Sequence, residues 1–347
     1  MADQAMLKSI LKWSLKQQQS EKDTNDQDDV KPMTEERKKW LREALDSIVL
    51  NETKRIQDIV TVLEYKPSGE MSTKEEESED DELLSRLRKA STSELLKMRE
   101  SGLEELVDRL CQIDNAKYFS LNHGGTGKLP LLMKYMKVED ASLRWRAADV
   151  FATVVQNNPE PQEKAIELGI LNIIMKQLKE EKDLKVRTKL FYVMSSVLRG
   201  EKVNVSAFKS FTRAGGFNML KSLISSHEKK ESSRLCKKAL FFSLWIFNMM
   251  PRLRKQFADP DLVRVILNLA NQSEDVDMSE KSLQVLLELV KDEKESRQLL
   301  KKMEFTIPTV NKIIATFREE KVKDKEDEMY ITERLRLAVS IAVGLRK

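Results

Sequence analysis

Cysteine, histidine, glycine and proline are all scarce in this 347-residue chain, and each scarcity removes a class of answers. Two cysteines, Cys111 and Cys236, cannot build a disulfide framework or a cysteine-rich zinc site. Each falls in an apolar helical stretch, so both are expected to be reduced core residues. The two histidines, His123 and His227, stand in a polar loop and a charged linker without a second histidine or a cysteine at ligand spacing; no metal or other cofactor is expected. Ten glycines and eight prolines are too few for the turns of many short strands, which leaves helices. No run of about 18 apolar residues offers a membrane span, and no basic segment leads into an apolar stretch at the N-terminus, so a soluble, cytoplasmic protein is expected.

Charge of one sign is also missing. Sixty-one Lys and Arg against 57 Asp and Glu leave a net charge of only +4, which does not call for nucleic acid as a partner. Catalytic signatures are absent too. Asn122-His123-Gly124-Gly125-Thr126-Gly127-Lys128 superficially resembles a phosphate loop, but that motif needs glycine at 122 and serine or threonine at 129, where Leu129 stands. No Gly-x-Ser-x-Gly elbow occurs, and the acidic pairs sit in solvated stretches. The chain is not expected to be an enzyme.

What is present is helical periodicity. Residues 1–31 hold a short amphipathic segment, with Leu11, Trp13 and Leu15 among its apolar residues, on a polar stretch too poor in apolar residues to order itself. Residues 32–66 predict a helical hairpin opened by Thr34 as N-cap, and 67–82 an acidic linker. From 83 to 347 one phrase keeps returning: LRWRAADVFATVV (143–155), VRTKLFYVMSSVL (186–198), CKKALFFSLWIF (236–247), MSEKSLQVLLELV (278–290) and ITERLRLAVSIAV (331–343). Taking Arg144, Arg187, Lys237, Ser279 and Thr332 as equivalent gives spacings of 43, 50, 42 and 53, an armadillo or HEAT period. A second phrase lies between, at 168–178, 215–224, 260–270 and 305–314, and its first two copies start at glycine.

Helices apolar on several sides are covered only by a neighbouring repeat, so the fold expected is all-α, an armadillo-like solenoid with a concave groove and a flexible N-terminal segment. Arg144, Arg187 and Lys237 would form a basic ladder in that groove. Trp40, Trp145 and Trp245 lie on apolar helix faces and are expected in the core.

Particular phrases resemble the armadillo-type nucleotide exchange factors of heat shock protein 70, the Fes-one and heat-shock-protein-binding-protein family. Ile113-Asp114-Asn115-Ala116 resembles that family's DNA motif, Leu143-Arg144-Trp145-Arg146-Ala147-Ala148 its LRWRAA phrase, Val155-Gln156-Asn157-Asn158 its QNN turn, and Val186-Arg187-Thr188-Lys189 its VRTK helix. Leu11-Lys12-Trp13-Ser14-Leu15 is similar to its LLxWSI opening, and Met33 to Leu41 to its MSEERRxWL hairpin. Ser196 and Lys237 depart from residues frequent there. The resemblance implies a monomeric co-chaperone that grips the nucleotide-binding domain of the chaperone with its concave face and accelerates ADP release. Asn115, Ala116, Arg144, Arg187 and Lys237 would be contacts, with small Ala116 leaving room for close approach. Leu11, Trp13 and Leu15 would occupy the chaperone's substrate-binding domain and aid client release.

Three other classes compete. An armadillo adaptor for basic peptides would show tryptophan and asparagine repeated along the groove, whereas only Trp245 and Asn248 come near that pattern. A nucleic-acid-binding solenoid would need more net positive charge, and an enzyme would need a catalytic constellation.

Overall fold

The computed structural model describes Lys39 and residues 52–67, 82–121, 127–200, 204–226, 233–272, 275–291, 294–322 and 324–347. The amphipathic segment with Leu11, Trp13 and Leu15, the Thr34 cap, Trp40, residues 68–81 of the acidic stretch, His123 and His227 lie outside the described residues. Among the described residues there is no strand, and no helix is long and apolar enough to cross a membrane. The chain divides into two compact units, Met1–Phe119 and Ser120–Lys347.

The first unit contains α1 (52–64), α2 (Glu82–Lys89), α3 (Thr92–Leu110) and most of α4 (Ile113–Ser120). Ser91 starts α3 with a capping box: its hydroxyl accepts from the Glu94 N–H, and the Glu94 carboxylate accepts from the Ser91 N–H at 2.8 Å. Gly102 lets α1 and α3 close on each other, since a Cβ there would stand 2.9 Å from Ile59 Cγ2. Val62, Leu87 and Leu95 join α1, α2 and α3 in one apolar cluster.

A charged network ties α1 to α3. Arg55 holds Glu105 with both nitrogens at 2.8 and 2.6 Å, and Arg109 joins Glu105 at 2.7 Å and Glu52 at 2.6 Å. The Arg55 hydrogen bonds, and then those from Arg109, hold the Glu105 carboxyl at about 2 against the opposing effect of burial. A carboxylate depressed on folding stabilises the native state above its unfolded value and loses that contribution as pH falls through the folded one. Acid unfolding of the chain should therefore steepen between about pH 4.5 and about pH 2. Glu105→Gln should remove that component, and a Tm series against pH by circular dichroism reads it out.

Cys111 departs from its sequence expectation. It is an exposed free thiol at the C-cap of α3, its Sγ 2.9 Å from the Asp108 carbonyl, because Leu110 ends the buried face one residue earlier. Cys236 is buried as expected, and burial pushes its thiol up to about 12.

The second unit is a stack of three-helix repeats. It opens with α5 (Leu129–Tyr135) and α6 (Ala141–Val155). Four triplets follow: α7 (Pro159–Glu167), α8 (Ile170–Glu180) and α9 (Leu184–Leu198); α10 (Val205–Arg213), α11 (Gly216–Ser225) and α12 (Ser233–Met249); a 3-10 turn (Pro251–Phe257), α13 (Pro260–Ala270) and α14 (Val276–Val290); α15 (Lys294–Lys302), α16 (Thr306–Glu319) and α17 (Lys325–Arg346).

Local chemistry sets these boundaries. Asp140, Asp183 and Asp275 cap α6, α9 and α14, each carboxylate accepting an N–H three residues on at 2.9–3.0 Å. Gly169 and Gly215 turn the first helix of a triplet into the second at φ of 71° and 82°, where a side chain would be strained. Asn157 takes a φ of 54° after α6, a conformation asparagine tolerates better than other non-glycine residues.

The third helices carry the core. α6 packs on α9, α12 on α14 and α14 on α17. Between α9 and α12 the join is aromatic: Phe191 meets Phe242 edge-on at 5.9 Å, and the contact runs on through Phe211 and Phe217 to Phe257.

Candidate functional site

Burial sets the register of the third helices. Leu143, Ala147, Val150 and Val154 are buried in α6; Val186, Leu190, Val193 and Val197 match them in α9, Leu235, Ala239, Phe242 and Ile246 in α12, and Met278, Ser282, Val285 and Leu289 in α14. In α17, Leu337, Ala338, Ile341 and Leu345 occupy the places of Ser282, Leu283, Leu286 and Val290. Arg144 and Arg187 therefore correspond to Cys236, Ser279 and Arg334. Lys237 stands one residue further on and Thr332 two residues earlier, so the phrase alignment slipped in both helices. One residue is about 100° of rotation, enough to move a side chain from one helix face to another.

At that corrected position Arg144 is a staple. Arg144 Nε and Nη2 donate to both Glu181 oxygens at 2.9 and 3.0 Å, while Nη1 donates to the Val138 and Glu139 carbonyls. Its side chain is 16% exposed, and it joins the segment before α6 to the segment before α9. Arg187 makes no ion pair among the described residues, and its Nε is buried without a hydrogen-bond partner. Lys237 lies 3.3 Å from Asp275 and 3.6 Å from Asp277.

Asn115 and Ala116 belong to the first unit. The Asn115 amide donates to the Arg109 carbonyl at 3.0 Å, closing the end of α3. Ala116 is 1% exposed. It offers no surface for close approach: the turn of α4 that carries it faces inward, and an arginine there would bury a charge in the core.

Two residues beyond the staple position, a second row emerges. Arg146, Lys189, Lys238, Lys281 and Arg336 stand at equivalent places on α6, α9, α12, α14 and α17, and none of them is buried. Aromatic rings lie between them. Trp145 carries the Arg146 guanidinium at 4.2 Å and the Lys185 ammonium at 3.3 Å from its ring centroid; Lys238 is 5.8 Å from Tyr192 and Lys281 is 5.9 Å from Phe241. Trp145 and Trp245 are thus half-buried surface rings and not core.

The rungs differ in how they are neutralised. Lys189 pairs with Asp149 at 2.5 Å, Lys281 with Asp277 at 2.6 Å and Arg336 with Glu333 at 2.6 Å. Lys238 makes no ion pair among the described residues. Burial, and then the neighbouring charges of Arg234 and Lys189, push its ammonium below the usual lysine range, with Asp149 opposing. The row was visible in principle as the last charge in RWR, RTK, CKK, SEK and RLR. Matching on the first charge hid it.

Such a row attracts carboxylates and performs no chemistry of its own. Among the described residues no group of three or more His, Cys, Asp or Glu could hold a metal ion.

Comparison with known proteins covers part of this surface. The family described as SIL1/FES1/HPBP1 C-terminal domain matches residues 115–241, a span that includes Asn115, Ala116, Arg144, Arg187 and Lys237 and three rungs of the row. Human Hsp70-binding protein 1 is 26% identical over 201 residues, covering 57% of this chain and 50% of that protein. The Hsp70 nucleotide exchange factor fes1 of Schizosaccharomyces pombe is 29% identical over 141 residues, 41% of this chain and 45% of that one. This chain spans about half the length of the curated relatives it matches. Among solved structures, a designed armadillo repeat protein in complex with the peptide (KR)4 is 16% identical with a TM-score of 0.52, covering 70% of this chain and 93% of that one. The SYS-1/POP-1 complex gives 11% identity and a TM-score of 0.58 over 85% of this chain and 49% of that chain. These structural likenesses establish an all-α, armadillo-like fold. Over residues 115–241, then, the chain is similar to the SIL1/FES1/HPBP1 C-terminal domain.

Proposed function

We propose that this protein is a nucleotide exchange factor for a cytosolic heat shock protein 70, and that it binds the chaperone's nucleotide-binding domain through the exposed face of its third helices. The observation that carries the reading is the row Arg146, Lys189, Lys238, Lys281 and Arg336, one cation per repeat with aromatic rings between, on a domain whose relatives are named for Hsp70 binding and exchange. Arg187 and Lys237 border the row and add to it. Arg144 acts as scaffold, joining the segments before α6 and α9 that present it, and Asn115 closes the end of α3 within the first unit.

No bond is made or broken in this activity. A rigid surface that binds the nucleotide-binding domain better when its two lobes are apart shifts the population toward the open state, from which ADP escapes. By linkage, the factor by which the protein weakens ADP is the factor by which ADP weakens the protein. Charged hydrogen bonds of about 1.5–3 kcal/mol each, made selectively to the open domain, are sufficient for such a shift. The segment with Leu11, Trp13 and Leu15 has a separate task, occupying the substrate cleft so that a released client does not rebind.

Stopped-flow release of a fluorescent ADP analogue from a purified chaperone tests the reading. Release is expected to accelerate at least tenfold, on the scale of an allosteric coupling of about 1–3 kcal/mol. Deleting residues 1–16 should leave that acceleration intact while slowing client release. Binding without acceleration would make the protein an adaptor, and absence of binding would overturn the proposal.

A further inference from the structure

A cavity of about 360 Å³ opens between α12 and α14, toward their C-terminal ends and away from Lys238. Its walls include Phe241, Leu244, Trp245 and Leu287, with Arg199 and Asn248 at the rim. Trp245 is held in place by stacking on Phe242, at 5.5 Å between centroids and 11° between planes. Phe241 is 46% exposed, a large ring left open to water.

The polar groups at this cavity are unequally satisfied. Glu288 is neutralised, one oxygen 2.5 Å from Arg254 and the other 3.4 Å from Lys291. Arg199 lies over the Phe241 ring at 5.2 Å and has no carboxylate partner among the described residues. The Asn248 side chain is exposed and makes no hydrogen bond among the described residues. A primary amide offers both donor and acceptor, the pair needed to read the C=O and N–H of an extended backbone; a helix has already used its own.

We infer that this cavity is a binding site for an extended peptide segment of alternating apolar and acidic residues, adjoining the cation row at Phe241. The apolar side chains enter between Trp245, Leu244 and Leu287. Asn248 holds the backbone and Arg199 takes a carboxylate. The occupant is acidic because the free charge at the rim is positive while the acid beside it is already paired, so a lysine-rich peptide meets repulsion without compensation.

Fluorescence anisotropy of the full chain with a capped, labelled octapeptide of alternating aspartate and leucine tests this, against the same peptide carrying lysine for aspartate. Saturable binding of the acidic peptide is expected, roughly tenfold or more tighter than the lysine peptide. Asn248→Ala and Arg199→Glu should each weaken it about fivefold or more, with circular dichroism unchanged, since both side chains reach solvent. No saturable binding, equal or tighter binding of the lysine peptide, or full affinity in both variants would overturn the site. The assay contains no chaperone, so its failure leaves the exchange reading standing, and failure of that reading leaves the peptide site standing.

Discussion

Lys238→Glu is expected to weaken the proposed binding to a chaperone nucleotide-binding domain by about 30-fold or more while leaving the fold as stable as before or more so. Loss of a charged hydrogen bond and its replacement by like-charge repulsion together exceed about 2 kcal/mol, which sets the scale. Stability moves the other way because Lys238 is the rung held against its neighbours: burial first, then Arg234 and Lys189, depress its ammonium. A base whose folded pKa lies below its unfolded one opposes folding as long as pH is low enough for the native state to be charged, and the opposition fades as pH rises toward the unfolded value. A glutamate in its place meets two cations instead of repelling them. Isothermal calorimetry with the nucleotide-binding domain and scanning calorimetry on the free protein separate the two effects, and Lys238→Gln should fall between. Unchanged affinity in the glutamate variant would remove the row from the interface.

Arg334 carries the second large effect, on stability alone. Its side chain is 1% exposed on α17, and Nη2 reaches both Glu320 oxygens at 3.0 Å from the end of α16. The guanidinium lies over Phe317 at 4.6 Å, yet Nε and Nη1 are buried without partners. The pair therefore bears a desolvation cost that its hydrogen bonds only partly offset. Arg334→Ala should cost about 3–5 kcal/mol, because it opens a cavity and strands the Glu320 carboxylate in a largely buried place. For a unit of this size that is a fall of about 10 °C in Tm. The double replacement Arg334→Met with Glu320→Gln should recover most of the loss, since it fills the volume without an ion to desolvate. Calorimetry of the two variants decides: a double variant as unstable as Arg334→Ala would show that the ion pair is strongly favourable.

The contrast between Arg334 and Lys238 shows how far the repeat pattern could be followed in the text alone. Both are basic letters near the start of the same phrase. One is a buried staple and the other a half-buried rung, because two further residues turn the side chain from the inner flank of a third helix to its outer face. Arg144 is likewise engaged inside the repeats. Its partner Glu181 is 37 residues away, and no local pattern announces that the guanidinium is already occupied. An insertion before α12 leaves the phrase free to slide by one residue, so that Lys237 falls opposite Arg187; only the buried series Leu235, Ala239, Phe242 and Ile246 fixes the register.

Local chemistry, by contrast, could be read directly. Helix content follows from apolar periodicity, the left-handed turns from Gly169 and Gly215, the helix starts from aspartate caps, and the repeat period from the return of one phrase. The resemblance to a family was legible because the motifs that carry it are contiguous strings. These properties depend on residues within a few positions of one another, and the amino-acid sequence by itself determined them. Tertiary packing alone decided that Ala116 is covered, that Cys111 is open, which cations are spent inside the repeats and which face outward. Each of those depends on what a side chain meets across a helix interface tens of residues away, and rotation by a single residue is enough to change the answer.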